Sequence, residues 1–400
     1  MERCRGGADG YVMRSAPPLS LYVHVPWCVR KCPYCDFNSH QVPTGEIPED
    51  RYVAALLGDL DHDLPFVGDR ELQSVFIGGG TPSLFHPSVF AHLLNSIAGR
   101  LPCARDMEVT LEANPGTIEH GRFAAYREAG ITRVSLGVQS FDAGHLKRLG
   151  RIHSPDDVFR AVTELKQAGI HNFNLDLMYA LPEQTLAQAE SDVRTAIDLQ
   201  PRHLSHYQLT LEPGTVFHHR PPQGMPDPDA AWEMQESCQD LFARSGFTQY
   251  EVSAYASQEH RCRHNLNYWK FGDYIGIGAG AHGKLTDFGS RRVLRTTRHK
   301  QPRTYLEAAS AVGRLQEIRE VEEADLPFEF MLNALRLREG FDLAAFEATT
   351  GIPEEVIERP LDVARARGLI EVTGGGRWRP SDLGWRFLND LQALFLASKP

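Results

Sequence analysis

The stretch PWCVRKCPYC occupies residues 26–35 and directly follows a short apolar run, Leu21–Val25. Within it, Cys28, Cys32 and Cys35 follow a C-x3-C-x2-C spacing. Three thiolates so close in sequence can each bind one iron of a [4Fe-4S] cluster, which leaves the fourth iron without a protein ligand. That iron can coordinate a small molecule. The stretch therefore predicts a cluster-binding loop that follows the first strand and is open to a ligand.

Three clustered cysteines also have other interpretations. A disulfide would leave one of them unpaired, and a tetrahedral zinc site would need a fourth cysteine or histidine. The nearest candidate for such a ligand, His40, lies five residues after Cys35. An iron–sulfur cluster is therefore favoured, with zinc and a chance grouping as the alternatives. The remaining cysteines are scattered, which predicts free thiols in a reducing compartment: Cys4, Cys103, Cys238 and Cys262.

The composition is that of an ordinary globular protein. Hydrophobic residues make up 42% and charged residues 24% of the 400 residues, and this length predicts two folded units. Forty-two basic and 52 acidic residues give a net charge of -10, which does not favour binding to nucleic acid or anionic lipid. There is no apolar run long enough for a membrane span and no signal-peptide pattern. The expected compartment is the cytoplasm, with no nucleic-acid partner.

From Leu21 onward, β-rich runs alternate with helical patterns, as in βα units built around a parallel sheet. The predicted strands are Leu21–Val25, Ser74–Ile77, Glu108–Ala113, Arg133–Val138, Asn172–Met178, His206–Leu211 and Tyr250–Tyr255. The predicted helices are Glu49–Leu64, Pro87–Ala98, Ile118–Ala129, Pro155–Ala168, Thr185–Leu199 and Asp229–Arg244. These units are too few for an eight-stranded barrel, so we expect an α/β fold with a partial parallel (β/α)6-type barrel. An open doubly wound sheet is the alternative, and either fold would place ligands at the C-terminal ends of the strands.

Beyond about Gly280 the pattern changes to a charged, helix-rich segment with little β periodicity. Its end reads as a helix, a strand over residues 368–372, a glycine turn at 374–376 and a last helix over Asp382–Leu396, which is a winged-helix pattern. No basic recognition face is evident, so packing against the barrel is favoured over DNA binding. The predicted domains are a flexible tail at 1–18, with Met13 as a second possible start, a barrel at 19–280, and a helix-rich, winged-helix-like C-terminal domain at 281–400.

The cysteine spacing, with Tyr34 before the last cysteine, resembles that of the radical S-adenosylmethionine superfamily. The turn GGGTP at residues 78–82 is similar to the glycine motif of that superfamily and lies one βα unit after the cysteines. The resemblance implies a [4Fe-4S] cluster whose open iron binds the amino and carboxylate groups of S-adenosylmethionine. It also implies that an electron from the reduced cluster can cleave this ligand to a deoxyadenosyl radical.

Further segments include LYVHVP at 21–26, CPYCDFNS at 32–39, VQSF at 138–141 and NLDLM at 174–178. On these segments the chain resembles, more narrowly and over residues 19 to about 283, the oxygen-independent coproporphyrinogen oxidase group. This resemblance implies that S-adenosylmethionine contacts Tyr22, Gly79, Gly80, Thr81, Glu112, Gln139, Arg151 and Asp176, with Tyr34 of the cysteine motif assigned to the same site. Carboxylates such as Glu112 and Asp176 can accept hydrogen bonds from ribose hydroxyls or an amino group, and Arg151 can pair with a carboxylate. The alternative for each acidic residue is a structural role, such as capping a helix or ordering a loop.

Two departures separate the chain from the oxidases and are typical of a haem-chaperone branch of the same group. Phe37 stands where the oxidases have a further cysteine, and only about 18 unpatterned residues precede the first strand. The stretch HNLNYW at 264–269 matches an HNxxYW motif of that branch, which implies that His264, Tyr268 and Trp269 contact haem. The alternative is a hydrogen-bonded histidine among core aromatic residues. Other candidate haem ligands are Cys262, His203, His206, His218 and His219.

The resemblance therefore implies a haem chaperone that uses a [4Fe-4S] cluster and S-adenosylmethionine. Its implied partners are haem, an acceptor haemoprotein and an unidentified electron donor, and a transient membrane-protein partner is compatible with this role. Whether the chain is an enzyme stays open. The enzymatic alternative is radical oxidative decarboxylation of coproporphyrinogen III, and a less favoured alternative is a DNA-binding regulator.

Overall fold

A computed structural model describes residues 16–42, 47–117, 121–287, 290 and 292–397. Most of the predicted N-terminal tail, with Cys4 and Met13, lies outside these residues, as does the predicted start of a helix at Ile118. No helix in the described part of the chain is both long and apolar enough to cross a membrane.

The described backbone forms strands and helices that alternate through the first two thirds of the chain. The strands are β1 (Leu19–Val25), β2 (Trp27–Cys28), β3 (His40–Gln41), β4 (Leu72–Gly79), β5 (Cys103–Ala113), β6 (Arg133–Gln139), β7 (Phe173–Tyr179), β8 (His203–Gln208), β9 (Thr248–Glu251), β10 (Ala254–Ala256), β11 (Asp273–Ile277), β12 (His282–Asp287), β13 (Arg292–Arg298), β14 (Leu315–Glu320), β15 (Ile370–Val372) and β16 (Trp378–Pro380). The helices are α1 (Glu49–Val67), α2 (Pro87–Ala98), α3 (Arg122–Glu128), α4 (Ala143–Arg148), α5 (Pro155–Gln167), α6 (Leu186–Asp198), α7 (Val216–His219), α8 (Pro228–Arg244), α9 (Arg263–Trp269), α10 (Pro302–Glu307), α11 (Ala311–Arg314), α12 (Leu326–Ala334), α13 (Leu343–Thr350), α14 (Glu355–Ala366), α15 (Asp382–Arg386) and α16 (Leu388–Ala393). Three short 3₁₀ turns lie at Pro82–Leu84, Pro115–Thr117 and Glu323–Asp325.

One sheet of twelve strands, in the order β14-β13-β12-β11-β1-β4-β5-β6-β7-β8-β10-β9, dominates the described structure. Its central strands β1 and β4 to β8 all run parallel to one another. Helices connect them, and the strands are almost continuously buried, as is usual for parallel strands. The predicted partial parallel barrel is confirmed.

Helix caps set the ends of the loops that reach the edge of the barrel. At the start of α5 the Ser154 hydroxyl accepts from the Asp157 N–H, while the Asp157 carboxylate accepts from the Ser154 N–H. Thr185 and Gln188 form the same reciprocal pair at the start of α6. Such a capping box satisfies two backbone donors that have no partner within the helix. The loops before α5 and α6 therefore end at defined positions.

The predicted strand Tyr250–Tyr255 is wrong, because the chain reverses there into the antiparallel pair β9 and β10. The Glu251 carboxylate accepts hydrogen bonds from the N–H and the hydroxyl of Ser253, which closes a tight turn in the middle of the predicted strand. The prediction also lacked β11, which pairs in parallel with β1. The strand predicted at His206–Leu211 begins and ends three residues earlier, as β8.

Residues 281–320 were expected to be helix-rich, but strands β12, β13 and β14 occupy more of this stretch than helices α10 and α11 do. Strands β12, β13 and β14 extend the sheet in antiparallel order. Their inward positions include polar side chains that are nearly inaccessible to solvent, such as Lys284 and Arg298, each 1% exposed. The sequence of these strands therefore lacks the usual alternation of apolar and polar residues. For this reason the strands were not predicted.

A second hydrophobic core begins near Val321 and includes Phe330, Phe346 and Leu391. Phe271, from the barrel part of the chain, belongs to the same core. We therefore propose that the C-terminal unit begins near Val321 and packs directly against the barrel. Within it, α14, β15, a turn and β16 follow the predicted winged-helix order. The predicted last helix is divided into α15 and α16 at Phe387.

Candidate functional site

The side chains of the three clustered cysteines line one cavity of about 140 Å³ at the C-terminal ends of the parallel strands. Their loop is fixed by backbone hydrogen bonds: the Cys35 N–H donates to the Cys32 carbonyl at 3.2 Å, and the Val42 N–H donates to the Cys28 carbonyl at 2.9 Å. The short parallel pair of β2 and β3 closes the loop at its base. The loop thus holds three partly exposed thiols at one cavity.

A polar donor lies near each of the three sulfur atoms. The pairs are Cys28 with the Thr81 hydroxyl at 3.4 Å, Cys32 with Arg151 Nη1 at 3.7 Å, and Cys35 with the Ser39 hydroxyl at 3.8 Å. Burial raises the pKa of Cys28 and Cys35, whereas these hydroxyl contacts lower it. Hydrogen bonds of this kind stabilise thiolates and tune the reduction potential of iron–sulfur clusters. The cavity therefore suits three metal-bound thiolates.

The arrangement fits a multi-iron cluster better than a single zinc ion. Within the described residues, no group of three or more His, Cys, Asp or Glu side chains could hold one metal ion. The three thiols instead border a cavity, where each can bind a separate iron. His40, the possible fourth zinc ligand, does not line this cavity, and its Nε2 lies 3.1 Å from Asn38 Oδ1. Cys28, Cys32 and Cys35 would hold the cluster.

The glycine motif at 78–82 packs directly against the cysteine loop. Gly79 has φ of 109°, a conformation that side chains rarely allow, and its N–H donates to Glu112 Oε2 at 3.0 Å. A Cβ atom at Gly80 would lie 2.5 Å from the Trp27 carbonyl oxygen. The Thr81 N–H donates to that same carbonyl at 2.7 Å. The glycines therefore permit the close approach of the two loops, in addition to lining the cavity.

Two partly buried carboxyl groups, Glu112 and Asp176, line the same cavity as the cysteines. Burial, and secondly the charge of Asp176, raises the pKa of Glu112 to about 7. Burial also raises the pKa of Asp176, although Asn174 and Ser135 donate hydrogen bonds to it at 2.7 Å and 3.1 Å. Glu112 has a structural role, because it accepts a hydrogen bond from the glycine turn, and it also lines the cavity. Both groups can accept hydrogen bonds from a bound ligand.

Gln139 ends β6 in a left-handed conformation, with φ of 69°, which is uncommon for a residue other than glycine. The Tyr207 hydroxyl donates to Gln139 Oε1 at 2.8 Å. Arg151 Nη2 donates to the Gly137 carbonyl at 2.6 Å, and its Nη1 lies 3.7 Å from Cys32 Sγ in the cysteine loop. Backbone strain of this kind persists where surrounding contacts enforce it, commonly at binding sites. The predicted set lacked Tyr207, which lies near the end of β8 but near the start of the predicted strand His206–Leu211, so the prediction did not place it at the ligand-binding edge.

Eight of the residues that the resemblance assigns to S-adenosylmethionine line this cavity: Tyr34, Gly79, Gly80, Thr81, Glu112, Gln139, Arg151 and Asp176. The ninth, Tyr22, lines a neighbouring cavity of about 540 Å³. Four residues line both cavities: Phe37, Ser39, Gly79 and Glu112. The smaller cavity is called the cluster cavity below, and the larger one the side cavity.

The residues of the HNLNYW stretch are not brought together at either cavity. His264 is 1% exposed, and its two ring nitrogens lie 3.1 Å from the Ser74 hydroxyl and 2.8 Å from the Tyr268 hydroxyl. Burial lowers the pKa of His264 to about 3. Tyr268 lines the side cavity, whereas Trp269 packs under the guanidinium of Arg336, 4.3 Å from the ring centroid. Only Tyr268 of the implied haem contacts therefore faces a cavity.

The other candidate haem ligands also lie away from both cavities: Cys262, His203, His206, His218 and His219. Cys262 is fully buried, and burial raises the pKa of its thiol to about 12. His203 lies 2.7 Å from Asn174 Oδ1, and His206 stacks on Tyr179. These side chains belong to the packed interior or to other surfaces.

Comparison with known proteins identifies two family models along the chain. Residues 22–196 match the Radical SAM superfamily, and residues 321–387 match the HemN C-terminal domain. A solved structure of Escherichia coli coproporphyrinogen III oxidase, HemN, a radical SAM enzyme, superposes with a TM-score of 0.79 at 20% identity. The match covers 95% of this chain and 90% of HemN. At this identity the likeness shows the shared fold.

Two relatives match over almost their whole length. The heme chaperone HemW of Escherichia coli K12 is 51% identical over 96% of this chain and 100% of its own length. The heme chaperone HemW of Haemophilus influenzae Rd is 47% identical over 97% of this chain and 100% of its own length. The chain therefore belongs to the HemW family within the radical S-adenosylmethionine superfamily.

Proposed function

We propose that the protein is a haem chaperone that binds haem and passes it to an acceptor haemoprotein. Cys28, Cys32 and Cys35 hold a [4Fe-4S] cluster, and S-adenosylmethionine occupies the cluster cavity next to it. Membership of the HemW family supports this function. When bound, the cluster supplies an open iron for the ligand and an electron for its cleavage.

The observation that carries this proposal is the pair of adjoining cavities. The cluster cavity and the side cavity share part of their walls, so a ligand at the cluster would lie beside the larger volume. At about 540 Å³, the side cavity falls within the usual range for sites that bind cofactor-sized molecules. A porphyrin bound there would therefore lie next to the cluster and its ligand.

Within the cluster cavity, the chain offers complementary groups to an amino acid and a ribose. Arg151 can donate to a ligand carboxylate, although it also donates to the Gly137 carbonyl. Glu112 and Asp176 can accept from an ammonium group or from ribose hydroxyls. The cavity thus presents both positive and negative groups to a zwitterionic ligand.

Haem titration tests the proposed function. We expect the anaerobically reconstituted full-length protein to bind haem saturably, with one haem per chain, as followed by the Soret band. The same preparation, given coproporphyrinogen III, S-adenosylmethionine and a reductant, should form no decarboxylated porphyrin product. Absence of saturable haem binding together with product formation would overturn the chaperone function in favour of the oxidase.

The affinity for S-adenosylmethionine should rise with pH through about 7 because Glu112 ionises there. The ionised carboxylate accepts hydrogen bonds from the ligand more strongly than the protonated form. Equilibrium dialysis at about pH 6 and about pH 8 should show binding to the wild type that is several-fold tighter at the higher pH. Glu112→Gln should bind more weakly at the higher pH and lose most of this dependence. Equal pH dependence in both proteins would contradict the role of Glu112.

The acceptor haemoprotein, the electron donor and a transient membrane-protein partner belong to the same proposal. Their surfaces on this chain are testable by cross-linking of the haem-loaded protein to purified acceptors. A haem transfer that proceeds without any cross-linked or otherwise detectable complex would contradict direct delivery.

A further inference from the structure

The side cavity combines aromatic walls with an opening to solvent. Tyr268 and Tyr274 meet edge to face, with ring centroids 4.5 Å apart, and both line the cavity. Phe37 lies between the side cavity and the cluster cavity, and its side chain is 59% exposed. Aromatic rings can pack against the face of a flat conjugated macrocycle. An exposed phenylalanine at this position can make an apolar contact with such a macrocycle.

Three histidines line the side cavity, and they differ in how their ring nitrogens are used. His24 has both nitrogens engaged, Nδ1 at 3.1 Å from the Tyr22 hydroxyl and Nε2 at 2.9 Å from the Asn38 carbonyl. His40 Nε2 lies within hydrogen-bonding distance of Asn38 Oδ1 and of the Lys300 carbonyl. His24 therefore has no lone pair free, whereas His40 is bonded only through Nε2 and is the alternative ligand that the His40→Ala variant tests below.

His282, the first residue of β12, has the arrangement expected of an axial ligand. Its Nδ1 lies 3.3 Å from the Thr297 hydroxyl on the neighbouring strand β13. Within the described residues, no hydrogen bond is recorded for its Nε2. Histidines that bind metals usually donate the other ring N–H to an acceptor, which orients the ring and leaves one lone pair for the metal. Burial, and secondly Lys300, lowers the pKa of His282, which favours the neutral ring that binds iron.

Charged side chains at the mouth fit an anionic porphyrin. Lys31 and Lys300 line the side cavity and are exposed, so their ammonium groups can reach carboxylates without losing hydration entirely. Two acidic residues, Asp36 and Glu112, line it as well. Glu112 lies on the wall shared with the cluster cavity, and the increase in its pKa to about 7 reduces its charge at neutral pH. The basic groups thus balance the acidic ones at the opening.

We propose that haem occupies the side cavity, with His282 Nε2 as the axial ligand of its iron and with Lys31 and Lys300 paired to its propionates. This inference rests on the proposed haem-chaperone function and deepens it by naming the site. In this arrangement a single imidazole, at the exposed start of β12, binds the iron, and the macrocycle is not enclosed by the protein. Haem bound in this way stays accessible to an acceptor that supplies its own ligands.

The test is haem titration of the full-length reconstituted protein, wild type and variants, followed by Soret difference spectra and by resonance Raman spectra of the haem. His282→Ala should weaken haem binding by at least about tenfold and change the spectroscopic signature of the axial ligand. Free imidazole should restore the wild-type signature in His282→Gly. Lys300→Glu should weaken binding but keep that signature, because the iron ligand is unchanged.

Matched controls separate the ligand from other histidines. His171→Ala removes an exposed imidazole just before β7, at the opposite end of the barrel, and should bind haem as the wild type does. His264→Ala and His40→Ala should keep the wild-type axial signature. Iron content and circular dichroism of each variant establish that it is folded and carries its cluster.

The outcomes distinguish this inference from the function on which it rests. If the wild type binds haem but His282→Ala keeps both its affinity and its spectra, the site is wrong and the chaperone function stands. The same holds if the axial signature is lost in His264→Ala or His40→Ala instead. If the wild type itself binds no haem saturably, the inference fails together with the proposed function.

Discussion

Cys32→Ala is expected to abolish assembly of the [4Fe-4S] cluster. Three thiolates hold three irons, and removal of one leaves two protein ligands, which do not retain a cubane cluster. The Arg151 guanidinium, 3.7 Å from Cys32 Sγ, cannot substitute because it has no lone pair to donate. After anaerobic reconstitution, iron and sulfide content and the cluster absorbance should fall to near background. Binding of S-adenosylmethionine should also fall, because the cluster's open iron, which coordinates this ligand, is lost.

Cys103→Ala is the matched control for this variant. Cys103 is partly exposed at the start of β5, outside both cavities, and its thiol lies 3.5 Å from the Leu101 carbonyl. We expect the control to reconstitute like the wild type. A full cluster in Cys32→Ala, or an equal loss in Cys103→Ala, would refute the assignment of the cysteine loop. Haem binding by Cys32→Ala should persist, because the haem ligand proposed above is His282 and not a cluster residue.

Asp273→Asn is expected to be the most destabilising single change outside the site, with a loss of about 3–5 kcal/mol in the free energy of unfolding. Asp273 is 0% exposed and accepts from Lys284 Nζ at 2.9 Å, Arg70 Nη1 at 2.8 Å and the Thr286 N–H at 2.8 Å. Lys284 is 1% exposed. Asparagine has nearly the same shape as aspartate but no charge. The buried ammonium group of Lys284 would therefore lose its counter-charge. Urea unfolding of the two proteins measures the difference.

The effect of Asp273 also has a predicted pH dependence. Burial alone would raise the pKa of Asp273, but Lys284 and Arg70 outweigh it and hold that pKa below its usual value. A carboxyl whose pKa is lower in the folded than in the unfolded protein stabilises the fold above its unfolded value of about 3.9. This stabilisation is lost as the pH falls through the folded pKa. The difference between wild type and Asp273→Asn should therefore be full at neutral pH and shrink below about pH 4.

Asp61→Asn on α1 serves as the control for Asp273→Asn. Asp61 pairs with Arg100 at 2.6 Å, but its side chain is 52% exposed. Solvent screens such a pair, so the loss should stay within about 1 kcal/mol. Comparable losses in the two variants would show that the buried network around Asp273 does not hold β11 and β12 together.

Helices and strands were predicted correctly where apolar periodicity was strong. The prediction failed where polar side chains were buried. The boundaries of the helix Pro87–Ala98 match α2, because a proline starts it and apolar residues recur on one face. Strands β12 and β13 escaped prediction because Lys284 and Arg298 point inward, paired with Asp273 and with Asp63. Asp63 lies 235 residues from Arg298, and Asp273 lies on a different strand from Lys284, so no local pattern reveals that the charges are satisfied.

Local spacing by itself determined the cysteine loop, the glycine turn and the order of the βα units, because each depends on residues a few positions apart. Only the tertiary structure decided which histidines face the side cavity. His264 sits in the motif-like stretch but is buried against Ser74 and Tyr268, whereas His282 lies in no recognisable motif and opens to the cavity. The physical reason is strand pairing. Strand β11 pairs with β1, from which it is separated by more than half of the chain, and β12 pairs with β11. The side chains at that edge meet only after these pairings form.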